Sequence, residues 1–289
     1  MTATAEGTAL PVFVVRILAN EFALHCATEA LADALTPVAN RAAQDEIPLR
    51  ARHDWQLSGS AGAYLLSDDR GETTTLGTLE ALRSRVLVRM AQYSLEAWSD
   101  HGHLNAALGR HDSRAFLLVG GPQSGKTVLS LALLRAGAEM TGDQLALVGG
   151  GQAVAYPRRF DYWETAGTLL PDLPAYADTP PRLDGRSRQY QLQIDPTDLG
   201  KPWRLRPDPV GWVFCLEPNF YGRSSLRRCS PAEALHYILP NCSLPKTGGP
   251  LWTARLYALL DQVQPAILTL GTPETAVDWI HRALEQRTA

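Results

Sequence analysis

The residues with the clearest chemical signature lie in one glycine-rich segment, residues 120–127, which reads GGPQSGKT. This segment fits the phosphate-loop (Walker A) pattern G-x-x-x-x-G-K-[ST] at every position. Glycine at Gly120 and Gly125 permits a tight turn and lets backbone N–H groups approach phosphate oxygens closely. We therefore expect ATP or a related nucleotide to bind here, the alternative being a glycine turn that only joins a strand to a helix.

The side chains of the segment would have separate roles in binding a nucleotide. Lys126 would place a positive charge on the β- and γ-phosphates, and the Thr127 hydroxyl would ligate Mg²⁺. A helix that begins near Lys126 adds the positive end of its dipole. Nucleotide contacts are expected from the whole segment and the residue that follows it, namely Gly120, Gly121, Pro122, Gln123, Ser124, Gly125, Lys126, Thr127 and Val128.

An aspartate, Asp143, follows the loop lysine by only 17 positions. An apolar strand precedes the loop, a helix of about ten residues follows it, and AEMT before Asp143 resembles a second strand. A right-handed crossover of this length predicts that the two strands lie side by side, with Asp143 near the phosphates. Asp143 would then ligate Mg²⁺ or act as general base for an attacking hydroxyl. The alternative is a turn aspartate that caps its own backbone.

The elements around this segment indicate two domains. Residues 1–100 predict a smaller α+β domain, a scaffold or a docking domain for a substrate: a strand at 11–18, a helix at 28–41 interrupted by Pro37, a hairpin of WQLSG and AYLLSDD, and a helix whose apolar face is Leu79, Leu82, Val86, Met90, Tyr93 and Ala97. Residues 101–289 predict the α/β nucleotide-binding domain.

The second domain carries the strand and helix patterns that would surround a nucleotide. Strands are predicted at AFLLVGG, on either side of Asp143, at QAVAYPRRF, QYQLQI, GWVFCLEP and PAILTLG, and helices at VLSLALLRAG, PAEALHYIL and TPETAVDWIHRALEQ. Residues 171–188, rich in Pro, Asp and Arg, predict an exposed loop. Residues 98–114, WSDHGHLNAALGRHDSR, are polar and rich in histidine.

Composition excludes several classes of partner. The 289 residues are 45% hydrophobic and 20% charged with a net charge of −3, so no global basic excess indicates nucleic acid or an anionic membrane. Without a long apolar run or a signal-peptide pattern, we expect a cytoplasmic protein. The four cysteines form no CxxC pair and the histidines no regular metal spacing, so we expect structural cysteines and no zinc site. The sequence leaves a homo-oligomer open.

The block VGGPQSGKT…LLRAGAEMTGDQLALV resembles the HPr kinase/phosphorylase family, in which G-x-S-G-x-G-K-S, a short helix and an Asp-Asp pair follow at this spacing. It is most similar to the related kinases of lasso-peptide biosynthesis. The strong similarity covers roughly 45 residues, and a looser one, including LRRCSPAEALHYIL, extends through the C-terminal third. The resemblance implies an HPr kinase C-terminal-like P-loop core, ATP and Mg²⁺ as cofactors, and Asp143 as the base that acts on a serine hydroxyl.

The chain departs from that family at two positions. Gln144 replaces the second aspartate of the pair and offers Mg²⁺ only a neutral oxygen. Asn105 stands where relatives carry a histidine, and asparagine cannot shuttle a proton. His103 or His101 would compensate, or these histidines are solvated loop residues; both interpretations stay open.

Arginines are the remaining candidates, because the transferred phosphoryl group carries negative charge. Arg158 and Arg159, with Arg186 and Arg188 of the predicted loop, would supply that charge or are solvated surface residues. Arg223, Arg227 and Arg228 form a basic cluster that would receive an acidic peptide or a phosphate.

The sequence thus predicts an ATP- and Mg²⁺-dependent kinase that phosphorylates a serine-type hydroxyl on a peptide or small protein, as in peptide natural-product biosynthesis. Two alternatives remain: a catalytically impaired nucleotide-binding regulatory protein, and a kinase for a small molecule.

Overall fold

The protein is described from a computed structural model that covers residues 11–39, 44–163, 169–173, 182–183, 190–220, 222–243 and 249–286. The chain divides into two compact units, Met1–Trp98 and Ser99–Ala289. Both are mixed α/β units with their own sheets. Among the described residues, no helix is long and apolar enough to cross a membrane.

The first unit is a five-stranded sheet in the order β1-β2-β4-β5-β6 with two helices. Alternate residues of β2 are buried, which gives the sheet one core face. That core includes Phe22, Trp55 and Tyr93, whose rings meet edge to face. The elements are β1 (Val12–Ile17), β2 (Asn20–Cys26), α1 (Glu29–Ala39), β3 (Gln44–Asp45), β4 (Ala51–Ser60), β5 (Ala63–Ser67), β6 (Thr73–Leu76) and α2 (Leu79–Glu96).

Most predictions for this unit are confirmed, and one is wrong. β4 and β5 form the predicted antiparallel hairpin. The apolar face of α2 buries Leu82, Val86, Met90 and Tyr93, as its helical spacing predicts. Pro37 does not interrupt the first helix, because α1 continues to Ala39. Pro37 lies in the last turn, where its missing N–H removes only one helical hydrogen bond.

Among the described residues, the second unit contains four α-helices, one large sheet and several short strands. Its elements are β7 (Gly102–Leu104), β8 (Ala106–His111), β9 (Arg114–Val119), α3 (Lys126–Arg135), β10 (Glu139–Gly142), β11 (Ala146–Gly149), β12 (Gln152–Ala155), β13 (Phe160–Trp163), β14 (Arg182–Leu183), β15 (Tyr190–Ile194), β16 (Arg204–Leu205), β17 (Asp208–Pro218), β18 (Ser225–Arg228), α4 (Pro231–Ile238), β19 (Cys242–Ser243), α5 (Gly249–Gln262), β20 (Gln264–Leu270) and α6 (Pro273–Glu285).

The large sheet has the strand order β10-β8-β9-β17-β12-β11-β7-β19, with β20 and then β18 branching from β17. Parallel pairing joins β9 to β17 and β17 to β20. The prediction that β9 and β10 lie side by side is wrong, because β8 pairs antiparallel with both and lies between them. Since β8 runs opposite to each, β9 and β10 still point the same way and end at the same edge.

Helices cover both faces of this sheet. On one face, Leu131 of α3 and Ile280 of α6 belong to the same buried cluster as Leu118, Phe214 and Leu268 of the sheet. On the other, α4 and α5 pack on Val119, Val213 and Cys215. Strands buried on both faces read as continuous apolar runs, as FLLV in β9 and VFCL in β17 do.

Several elements of the second unit were not predicted from the sequence. The polar segment 98–114 contains β7 and β8, and residues 249–262 form α5 although no helix was predicted there. The strands and helices predicted around them are confirmed. Most of the predicted loop 171–188, with Arg186 and Arg188, lies outside the described residues. The four cysteines are free thiols, and Cys26 and Cys215 are buried.

Candidate active site

The glycine-rich loop (Gly120–Thr127) joins the end of β9 to the start of α3. At Gly120, a Cβ atom would lie 2.4 Å from Oγ of Ser124, so packing inside the loop excludes any side chain. Gly125 has φ +89°, and its Cβ would lie 2.5 Å from Cδ2 of Leu270. Gln123 also has a positive φ, 61°, which is uncommon outside glycine and frequent at functional turns.

Gly121 differs from its neighbours in the loop. The nearest atom to a Cβ placed there is Oδ1 of Asn241 at 3.9 Å, an ordinary contact, so packing among the described residues does not require glycine. A backbone without a side chain that faces open space can be approached closely by a phosphate. The N-terminus of α3 carries no side-chain cap from the described residues, which leaves its positive dipole end available to the same ligand.

Lys126 is the buried cation of the loop. Its Nζ donates to the carbonyl oxygens of Gly120 at 2.6 Å and Gly121 at 2.9 Å. Burial lowers the pKa of this ammonium, and the negative charge of Asp143 opposes the shift. The lysine thus links its own side chain to the first two residues of the loop.

Thr127 and Asp143 are brought together although β9 and β10, the strands that precede them, are not neighbours. The Thr127 hydroxyl donates to Oδ2 of Asp143 over 2.6 Å. Asp143 follows the last residue of β10 and is 1% exposed, and its other oxygen, Oδ1, has no hydrogen-bond partner among the described residues. A hydroxyl that donates to a carboxylate keeps its lone pairs free for a cation.

The environment of Asp143 raises its pKa to about 7. Burial is the largest cause, because desolvation disfavours the charged form, and the negative charge of Asp161 adds to it. The hydrogen bond from Thr127 and the positive charges of Arg158 and Lys126 act in the opposite direction. A carboxyl that titrates near neutral pH can exchange protons under physiological conditions.

Asp161, on β13, is the residue that the sequence analysis missed. It is 6% exposed and accepts hydrogen bonds from three side chains. Gln144 Nε2 and Arg158 Nη2 donate to its Oδ2 over 3.1 and 3.0 Å, and Gln193 Nε2 donates to its Oδ1 over 3.1 Å. The signal was present in the sequence FDYW, where an aspartate interrupts a strand of aromatic residues.

The structure separates the two arginines that follow β12. Arg158 lies beside Asp161 with a side chain 56% exposed, so it is part of the cluster around Asp143. Arg159 instead pairs with buried Asp195 at 3.2 Å. Because Asp195 also caps the short 3₁₀ turn Pro196–Leu199, its partner Arg159 stabilises that turn.

Asn105 lies at the loop edge of the sheet, whereas His103 lies within β7. The pairing of Ala106 with Val119 puts Asn105 across from the first residue of the loop. The Asn105 backbone N–H donates to the carbonyl of Asn241 over 2.7 Å. His103 lies inside β7 and pairs in register with β11 and β19, so it is not a residue of an open loop.

Two further polar residues at this edge were not predicted. Glu217 lies two residues beyond Cys215, which pairs with the last residue of β9, and the Tyr237 hydroxyl donates to its carboxylate. Asn241 Nδ2 donates to the Tyr237 carbonyl, which turns its Oδ1 toward Gly121. An apolar strand that ends in an acid, VFCLE, is the sequence signal that could have identified Glu217.

The residues of this edge fit a magnesium nucleotide. The Thr127 hydroxyl and the unpartnered Oδ1 of Asp143 are hard oxygen donors, which Mg²⁺ prefers. The Ser124 hydroxyl is also buried without a hydrogen-bond partner among the described residues. Buried polar atoms of this kind are costly unless a ligand satisfies them.

Comparisons with known proteins add a distant structural likeness. No protein-family profile and no curated protein matches the sequence. Among solved structures, the chain is similar to the Hpr(Ser) kinase/phosphatase from Coxiella burnetii, with 12% identity and a TM-score of 0.33 over 65% of this chain and 99% of that one. The roles proposed for the site residues therefore rest on the contacts and burial of those residues.

Proposed function

We propose that this protein is an ATP- and Mg²⁺-dependent phosphotransferase that acts on a hydroxyl group. The observation that carries the proposal is the contact between Thr127 and Asp143, which joins a loop hydroxyl to a buried carboxyl whose other oxygen has no hydrogen-bond partner among the described residues. Phosphoryl transfer needs little covalent chemistry from the protein, and catalysis depends on position and charge. Those are the properties that this edge of the sheet provides.

The residues of the chain have separate tasks in this proposal. The loop backbone and the N-terminus of α3 hold the phosphates, and Lys126 turns its ammonium from the loop carbonyls toward them. Thr127 and Asp143 offer oxygens to the cation, which when bound neutralises charge on the phosphates. The Asp143 carboxylate also accepts the proton of the attacking hydroxyl, at the oxygen that does not contact the cation.

The acceptor in this proposal is a serine-type hydroxyl on a peptide or small protein. Its support is the sequence resemblance to HPr-type serine kinases and to the kinases of lasso-peptide biosynthesis. The first unit would then be a scaffold or a docking domain for that acceptor. A small molecule with a hydroxyl group is the competing acceptor.

The test is transfer of labelled γ-phosphate from ATP to a panel of serine peptides and small alcohols. We expect labelled peptide with wild-type protein, and loss of at least about 100-fold in rate for Asp143→Asn, the lower range for removal of a general base. Asp172→Asn is the control, since that aspartate is exposed and pairs with Arg135. Transfer that survives Asp143→Asn unchanged would show that Asp143 is not the base.

A nucleotide-binding protein without transfer activity is the second candidate, and Gln144 favours it. Its amide donates to Asp161 and adds no charge to the site. This candidate predicts that ATP binds with Mg²⁺ while no acceptor on the panel is labelled and no ATP is hydrolysed.

A further inference from the structure

Asp161 is a buried negative charge that the proposed transfer does not use. Two amides and one guanidinium fix its carboxylate from Gln144, Gln193 and Arg158. Charge-assisted hydrogen bonds are short and strong, so these three hold the Asp161 carboxylate in a fixed position.

That charge lies close to the site. Gln144, which bonds Asp161, is the residue directly after Asp143, and the charges of the two aspartates act on each other. The two buried carboxylates repel each other, and the positive charges of Arg158 and Lys126 counter this repulsion at Asp143. Oδ1 of Asp143 has no hydrogen-bond partner among the described residues, so an oxygen ligand is available at this pair of carboxylates.

We propose that Asp161 provides the second negative charge of the divalent-cation site formed by Thr127 and Asp143, and that Gln144 holds it in place. The inference rests on the proposed function. Gln144 itself brings no charge, yet its hydrogen bond ties the Asp161 carboxylate of β13 to the segment that follows β10. Hard cations are held by carboxylates, either directly or through their effect on the directly bound groups.

The test measures the affinity of Mn²⁺, a spectroscopic substitute for Mg²⁺, in the presence of a non-hydrolysable ATP analogue. Electron paramagnetic resonance of free Mn²⁺ gives the affinity without any turnover. We expect Asp161→Asn to weaken Mn²⁺ binding about 10- to 100-fold, the range for residues that support metal ligands. Gln144→Leu, which keeps the Asp161 carboxylate but removes its hydrogen bond to the segment after β10, should weaken Mn²⁺ binding by a smaller factor.

Asp208→Asn is the matched control for a buried, ion-paired aspartate. Asp208 is also 6% exposed, and it pairs with Arg110 at 2.6 Å and Arg206 at 3.2 Å. It lies at the opposite end of β17 from the loop edge. We expect this variant to bind Mn²⁺ with wild-type affinity.

Arg158→Ala separates an electrostatic role from a structural one. If the pair of Arg158 and Asp161 served only to hold β13, removing either partner would change Mn²⁺ affinity in the same direction. If Asp161 supplies charge to the cation site, removing the guanidinium should make Mn²⁺ bind more tightly, while Asp161→Asn makes it bind more weakly.

The outcomes distinguish the inference from the proposed function. Wild-type protein that binds neither the analogue nor Mn²⁺ would contradict both. Wild-type binding together with unchanged Mn²⁺ affinity in Asp161→Asn and Gln144→Leu, or a weaker affinity in Arg158→Ala, would overturn the inference alone. Circular dichroism and analogue binding in EDTA check that each variant is folded.

Discussion

The ammonium of Lys126 lies 2.6 Å from the carbonyl oxygen of Gly120, inside its own loop. A second hydrogen bond, to the carbonyl oxygen of Gly121, connects the lysine to the next residue of the loop. Under the proposed function, these two carbonyls would compete with phosphate oxygens for the same positive charge. Nucleotide binding would then exchange hydrogen bonds within the loop for hydrogen bonds to the ligand.

Lys126→Met should weaken binding of magnesium ATP by about 10- to 100-fold, because a charge-assisted hydrogen bond contributes about 1.5–3 kcal/mol. Isothermal titration calorimetry measures the affinity. Lys201→Met is the control, since Lys201 lies after a 3₁₀ turn outside the loop. Equal affinities of wild type and Lys126→Met would contradict a role of this ammonium in phosphate binding.

Asp143→Asn should stabilise the metal-free protein at pH 8 and have little effect near pH 4. The pKa of Asp143 rises from 3.8 to about 7 on folding, so the folded chain binds this proton more tightly than the unfolded chain. Wild-type stability then falls as the pH rises between these values, by up to about 4 kcal/mol. The asparagine variant lacks that loss.

Thermal unfolding in EDTA at pH 4, 6 and 8 measures the difference between the Asp143→Asn variant and wild type. The gain in melting temperature should increase with pH and level off above pH 7. A gain that is constant with pH, or that is largest at pH 4, would show that burial does not raise the pKa of Asp143.

Thr127→Val should destabilise the protein by about 1–3 kcal/mol at pH 8, because Asp143 loses its hydrogen bond while it stays buried. Thr127→Ser keeps the hydroxyl and is the control. Denaturant unfolding of both variants gives the free energies. The Thr127 hydrogen bond would be energetically unimportant if valine and serine gave the same stability.

Two neighbouring glycines should respond differently to alanine. Gly120→Ala places a methyl group 2.4 Å from Ser124 Oγ and should cost about 1–3 kcal/mol of stability. Among the described residues, the nearest atom to the methyl group of Gly121→Ala is 3.9 Å away, so this change should alter stability by less than about 0.5 kcal/mol while it weakens nucleotide binding. Melting temperature and analogue affinity, measured for both, separate the two effects; a destabilised Gly121→Ala would contradict this distinction.

The sequence predicts local features of the site well and its long-range contacts poorly. The strand, loop and helix around Lys126 follow from local apolar periodicity and from the residue types of the loop. The position of β8 between β9 and β10 does not, because its sequence AALGRH carries a weak pattern in a polar segment. Asp161 was missed for a different reason: its proximity to Asp143 depends on how β13 packs, which no local pattern shows.

The placement of β8 has a consequence for motion. Both edges of β8 are hydrogen-bonded, to β9 on one side and β10 on the other. Amides in such a strand exchange with solvent only when the sheet opens as a whole. The loop follows β9 and Asp143 follows β10, so hydrogen exchange in deuterated solvent should find both candidate site segments anchored to the slowest-exchanging part of the second unit.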